Sequence, residues 1–247
     1  MTQEFDLVRS LAAAVDDRGA AWEFVRGFAA DWTTEPLGTG DGWSEGDLAA
    51  AEERLGLRLP AALREAYALL GRREDLTGNH DTLRAPQELE VDEAGEALVF
   101  RDENQGAARW GILLADLAQE DPAVRIRPDL ADKSREKWED WLARTSLAFV
   151  EIVLSESLHA PDDLVDVLDG LDEQDAEELE QHGVRLPFPP YPPGEEPGTR
   201  WFLRDDVLLR EDAGAWLMAR GRTEKVLDAV REAIPGDWLN GQRRGGI

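Results

Sequence analysis

The sequence divides into runs of helical pattern and runs of strand pattern. Three observations carry that division. Apolar stripes at helical spacing run between residues 5 and 70, a strand–turn–strand pattern follows at 97–113, and three short strands precede a helix at 200–234.

Phe5, Val8, Leu11, Ala12 and Val15 recur at helical spacing, and after Gly19 so do Trp22, Val25, Phe28 (or Ala29) and Trp32. Gly38-Thr39-Gly40-Asp41-Gly42 ends this arm. Ser44 then stands as a helix N-cap with Asp47 three residues on, a capping-box variant. Leu48, Ala51 and Leu55 form the apolar face of that helix, and Gly56 is its left-handed stop. Leu59-Pro60 restarts a helix, proline being tolerated in a first turn, and Leu63, Ala66, Tyr67 and Leu70 make its stripe up to Gly71.

The pattern then turns to strands. Residues 97–100 and 109–113 read as a hairpin with Gly106 in its turn, and Val124-Arg125-Ile126-Arg127 alternates as a further strand. Helices return around Trp138, Trp141 and Leu142, and again from Thr145-Ser146 through Leu147, Val150 and Leu154. They continue through 161–169 and 172–181. Residues 187–197 hold six of the thirteen prolines and read as a stiff connector across the surface, or as a polyproline ligand centred on Tyr191. Strands are expected at 200–203, 207–210 and 215–219, and a last helix at 224–234 ends at Pro235-Gly236. Arg243-Arg244-Gly245-Gly246 reads as a frayed tail. Leu55-Gly56-Leu57-Arg58-Leu59-Pro60 echoes His182-Gly183-Val184-Arg185-Leu186-Pro187, which we read as two uses of one helix-stop grammar.

The 247 residues include 53 Asp plus Glu and 27 Lys plus Arg, a net charge of −26. Such a surface is a poor match for phosphates, so no nucleic acid is expected as a partner. Yet 42% of residues are apolar and nine are Trp, which is not the composition of a disordered acidic chain. Zero cysteine removes disulfides and thiolate sites, and His80, His159 and His182 are too scattered in sequence for a histidine metal site. The first seventeen residues lack a basic leader, and no uncharged apolar run approaches the ~18–20 residues of a membrane span. A cytoplasmic protein without membrane contact is the expectation.

The charge is unevenly spread. Residues 1–150 carry 17 basic and 31 acidic residues, 151–198 carry 1 and 14, and 199–247 carry 9 and 8. The chain thus divides into a helical arm (1–40), a core (41–160), an acidic helical and proline-rich connection (161–198), and a strand–strand–strand–helix part (199–247). Three strands and a helix make a poor independent core, so the last part is expected to be continuous with the rest.

Several pieces recur in order: Trp43; Asp47-Leu48, Glu52 and Leu55-Gly56-Leu57-Arg58-Leu59-Pro60; Leu63-Arg64, Tyr67 and Gly71; Leu98-Val99-Phe100, Glu103-Asn104-Gln105-Gly106 and Trp110-Gly111; Asp121-Pro122 and Val124; then Trp138 and Trp141. From Trp43 to about Leu158, half the chain, this order resembles the SUKH superfamily, which includes the yeast Smi/Knr-type cell-wall regulator and many bacterial immunity proteins. The resemblance implies an α+β fold, with helices packed on a mostly antiparallel β-sheet. It also implies a protein-binding protein without catalysis, in bacteria an immunity partner for a toxin.

Glu103-Asn104-Gln105-Gly106 either satisfies backbone groups at a hairpin end or forms a partner-contacting loop beside Trp110. Trp110 is a core residue unless it is exposed, where it would be an interface anchor. Asn79-His80-Asp81 reads as a polar turn ahead of any acid–base role. Asp162, Asp163, Asp166 and Asp169 lack the glycine and terminal glutamate of a calcium loop. No phosphate-cradling glycine motif or Gly-x-Ser-x-Gly elbow is present.

The reading is therefore a non-enzymatic protein that neutralises a cognate toxin by occlusion, its acidity steering a basic partner and covering the partner's cleft. No catalytic, cofactor-binding or metal residue is assigned. Partner contacts are placed at Glu103, Asn104, Gln105, Trp110, Asp162, Asp163 and Asp166, and residues 151–181 are the first place to look for a cationic partner. The alternatives are a regulatory scaffold with several partners and, further off, a carboxylate-dependent hydrolase. Oligomeric state leaves no mark in the sequence.

Overall fold

In a computed structural model, residues 5–171, 173–193 and 198–240 are described; the basic tail at 243–246, the residues 194–197 of the proline run and Asp172 lie outside them. Two helices open the chain, α1 (Leu7–Asp16) and α2 (Arg18–Trp32). Asp6 and Asp17 cap them, accepting from the backbone N–H groups of Arg9 and Ala20 at 3.0 and 2.7 Å. The capping box at Ser44 and Asp47 starts α3 (Glu45–Leu55), which Gly56 ends at φ +68°. Pro60 precedes α4 (Ala61–Leu70), and a single turn, α5 (Glu74–Thr77), follows.

The first sheet is built from β1 (Thr82–Leu83), β2 (Glu90–Val91), β3 (Ala97–Asp102), β4 (Ala108–Leu113), β5 (Val124–Pro128) and β6 (Glu139–Leu142). Its order is β1-β3-β4-β5-β6, with β2 also on β3, and each pairing is antiparallel. The helix expected around Trp138, Trp141 and Leu142 is instead this last strand. Trp141 and Leu142 are buried, and pairing with the edge of β5 overrides the short helical spacing.

Next comes α6 (Thr145–Ser157), buried along all thirteen residues. It packs against α2, α4, α5 and β6, with Phe149 at its centre. The Phe149 ring lies 6.3 Å from Trp22, 6.4 Å from Tyr67 and 6.0 Å from Phe100. Burying one such ring contributes about 1.5–3 kcal/mol, and its aromatic contacts add to that.

The second sheet takes β7 (Val165–Asp169), then, after α7 (Glu173–His182), β8 (Val184–Arg185), β9 (Thr199–Arg204), β10 (Val207–Asp212) and β11 (Trp216–Gly221); α8 (Glu224–Ala233) and β12 (Asp237–Trp238) close the chain. Its order is β12-β7-β11-β10-β9-β8, again antiparallel throughout. The helix expected at 161–169 is thus a strand. Asp166 and Leu168 are its buried positions, alternating with half-buried Val165 and Val167 as the period of a strand requires.

Period two also explains how the sheet serves two cores. Trp201 and Leu208 join the main core with the helices, whereas Phe202, Val207, Leu209, Leu217 and Ala219 join a second cluster with Leu179, Leu227 and Val230 of α7 and α8. The chain is an α+β protein with two antiparallel sheets. Residues 165–169 and 184–185, read as connection, supply strands to the sheet of the C-terminal part. No described helix is long and apolar enough to cross a membrane.

Candidate functional site

Where the two sheets meet over α6 there is a cavity of about 270 Å³. Each wall follows from local structure. On α6, Glu151 and Ser155 are four residues apart and share one face, and His159 lines the cavity from the turn just after the helix. On the second sheet, Arg210 lies in register with Trp201 on one side and Met218 on the other, so Arg210 and Met218 share the face that carries Trp201.

The third wall depends on an irregularity. The pairing of β3 with β4 shifts register between Val99 and Arg101, a β-bulge. Two consecutive side chains thereby reach α6: Phe100 stacks on Phe149, and Arg101 meets Glu156. Arg101 is 2% exposed, and its guanidinium lies 4.6 Å over the ring of Trp110.

Around Arg101 stand three buried carboxylates: Glu156 at 2.7 Å, Asp81 at 3.0 Å and Glu151 at 3.5 Å. Glu156 also accepts from the backbone N–H groups of His80 (2.6 Å) and Asp81 (3.2 Å), while Asn79 donates to its main-chain carbonyl at 2.9 Å. This one glutamate therefore anchors the whole Asn79-His80-Asp81 loop. Glu151 accepts from the Tyr191 hydroxyl at 2.8 Å and from Ser155 through one oxygen, and its Oε2 has no hydrogen-bond donor among the described residues. The indole N–H of Trp110 likewise has no acceptor among them.

Burial raises the Asp81 carboxyl above its usual range; Arg101 pulls it back down and Glu156 pushes it up again. His80 and His159, distant in sequence, stack at 3.9 Å between ring centres. Burial, followed by the neighbouring His80 and Arg210, lowers His159 to about 4, so its imidazole is neutral at physiological pH. The Tyr191 hydroxyl is raised, by burial first and by Glu151 second.

The charges do not balance. Asp81, Glu103, Glu151 and Glu156 line the cavity with only Arg101 and Arg210, and Arg210 is already held by Asp212 at 2.8 Å. Five carboxylates thus surround two guanidiniums. At about 4 kcal/mol for unit charges ~4 Å apart at an effective permittivity near 20, that imbalance outweighs a neutral hydrogen bond of roughly 1 kcal/mol.

Of the residues assigned to partner contact, Glu103 and Trp110 line this cavity. Glu103 also closes its hairpin, accepting from the N–H groups of Gln105 and Ala107 at 2.8 Å each, with Gly106 at φ +77°. Asn104 donates to the His80 ring at 3.0 Å, and Gln105 is exposed. The aspartates lie elsewhere. Asp162 pairs with Arg220, Asp163 is exposed, and Asp166 is fully buried against Arg231. Asp166 is thus a structural ion pair and offers a partner no surface. Glu151, placed in the acidic stretch, is interior as well.

His80, Asp81 and Glu103 bring one ligand atom each within 4.8 Å of one another, the arrangement a divalent ion needs. Their chemistry fits poorly. Arg101 stands 3.0 Å from Asp81, and one oxygen of Glu103 is taken by two backbone amides. The signal that reveals the site in sequence is Glu151, a carboxylate inside an otherwise apolar helix, followed by Ser155, Glu156 and His159. Compared with protein-family models, with curated proteins and with solved structures, the chain matches none.

Proposed function

We propose that this chain is a SUKH-like, non-catalytic protein that binds a basic protein partner, a toxin in the bacterial setting the resemblance implies, and neutralises it by occlusion in the cytoplasm. The observation that carries the reading is the carboxylate excess around the cavity, on a chain whose net charge is −26. The buried acids are held by backbone amides, Arg101 and Tyr191, an arrangement that fixes their charge in place around the cavity. A partner rich in lysine and arginine is drawn to it by long-range attraction, and acidic partners are rejected.

The test is binding to the products of the reading frames that flank this gene, one of them expected to be a basic toxin. A stoichiometric complex that abolishes that product's toxicity, and whose association slows as salt rises, is the expected result. Full toxicity in the presence of excess chain, with no complex at low salt, refutes the reading. A scaffold would instead hold several unrelated partners and leave the toxicity untouched.

A further inference from the structure

We propose that the cavity over α6 takes the side chain of one basic residue, lysine or arginine, from the partner protein, with Glu151 as the receiving carboxylate. This deepens the binding reading above and rests on it for the identity of the partner.

Three observations converge. Glu151 lines the cavity with its side chain only 4% exposed, and its Oε2 meets just the Arg101 guanidinium, at 3.5 Å, with no hydrogen bond among the described residues. Burying a carboxylate oxygen without a donor is unfavourable, so a donor from outside is stabilising there. The lining carboxylates outnumber the guanidiniums, which favours a cationic donor over a neutral one. The remaining wall is aromatic: Trp141 and Tyr191 lie 5.9 Å apart beside Trp110, whose ring already carries Arg101, and such faces hold alkylammonium and guanidinium groups. At about 270 Å³ the space suits one long side chain and is below the usual range for a cofactor.

A carboxylate or phosphate guest is excluded, because it would meet Glu151, Asp81 and Glu156 at close range. Arg101 acts here as a spacer. By balancing Asp81 and Glu156 it lets three acids coexist, and Glu151 is the one it holds most loosely.

The probes are the N-acetyl methylamides of lysine, arginine and glutamine, titrated into the full ¹⁵N-labelled chain with the Trp110 and Trp141 indole N–H signals as readout. Saturable shifts with the lysine or arginine amide, absent with the glutamine amide and weakened at least tenfold by Glu151→Gln, are expected. No saturable shift, or equal shifts with the glutamine amide, overturns the proposal and leaves a water-filled cavity. Should Glu151→Gln unfold, Met218→Phe fills the cavity from the opposite sheet without touching a charge and must abolish the shifts. Failure here with the protein complex intact removes only the cavity's role. Cation binding without any protein complex removes the partner reading and leaves the cavity assigned.

Discussion

Replacing Arg101 by methionine keeps most of the side chain's length and apolar body and removes its charge. Glu156, Asp81 and Glu151, now 2.7, 3.0 and 3.5 Å from a guanidinium, would face one another unscreened. Removing one partner of a buried ion pair costs about 3–5 kcal/mol. Proton uptake by the site sets a ceiling on that loss. Protonating a carboxyl of ordinary pKa near 4 at pH 7 costs about 4 kcal/mol, at 1.36 kcal/mol per pH unit. The expected loss is therefore about 4 kcal/mol at pH 7, shrinking to roughly 1.5 kcal/mol at pH 5. The sign follows from Asp81. Its folded-state affinity for a proton is already raised, and losing Arg101 raises it further, so stability is regained as pH falls and lost as pH rises through the raised value. Urea unfolding followed by tryptophan fluorescence reads this directly: with a slope near 3 kcal/mol/M the midpoint falls by about 1.3 M at pH 7. Equal midpoints for the two proteins at pH 7, or a loss independent of pH, would refute the charge-balancing role of Arg101.

Three further outcomes are expected. Ser44→Ala removes the hydroxyl that accepts from the Asp47 N–H at 3.2 Å and should cost about 1 kcal/mol in chemical denaturation. Gly42→Ala would drive a Cβ into the carbonyl of Ala68, where the backbone of the following Trp43 hydrogen-bonds to Tyr67 at 2.9 Å; a loss of about 3 kcal/mol and a clear fall in melting temperature should follow. The His159 imidazole should titrate by NMR near pH 4 instead of 6.5. Because this histidine is depressed, it contributes stability above pH 6.5 that is lost as pH falls towards 4, by no more than roughly 3 kcal/mol, and His159→Gln should flatten that part of the stability profile.

Helices with strong local signals are legible from the residues alone. Ser44, Gly56 and Pro60 each act within a few residues, so the ends of α3 and the start of α4 follow from local chemistry. The hairpin at Gly106 is legible for the same reason. The stretches at 165–169 and 139–142 read as helical yet form strands, because their strand character depends on pairing with β11 and β5, partners beyond any local window. The site divides along the same line. Asn79-His80-Asp81 looks like a polar turn until Glu156, 75 residues later, supplies its hydrogen bonds. The proline run reads as a connector laid across the surface, or as a ligand centred on Tyr191, yet Tyr191 is 4% exposed and bonded to Glu151. The bulge that turns Arg101 inward leaves no local mark at all.

The complete burial of α6 has a consequence for how occupancy of the cavity would be sensed. An amide in a helix with no exposed face exchanges its hydrogen only when the surrounding layers come apart together, so the floor of the cavity carries the protection of the whole domain. A guest seated there is linked to global unfolding, and its binding raises the melting temperature of the entire chain by mass action. Hydrogen exchange at Val150 to Leu154 is then a direct gauge of occupancy.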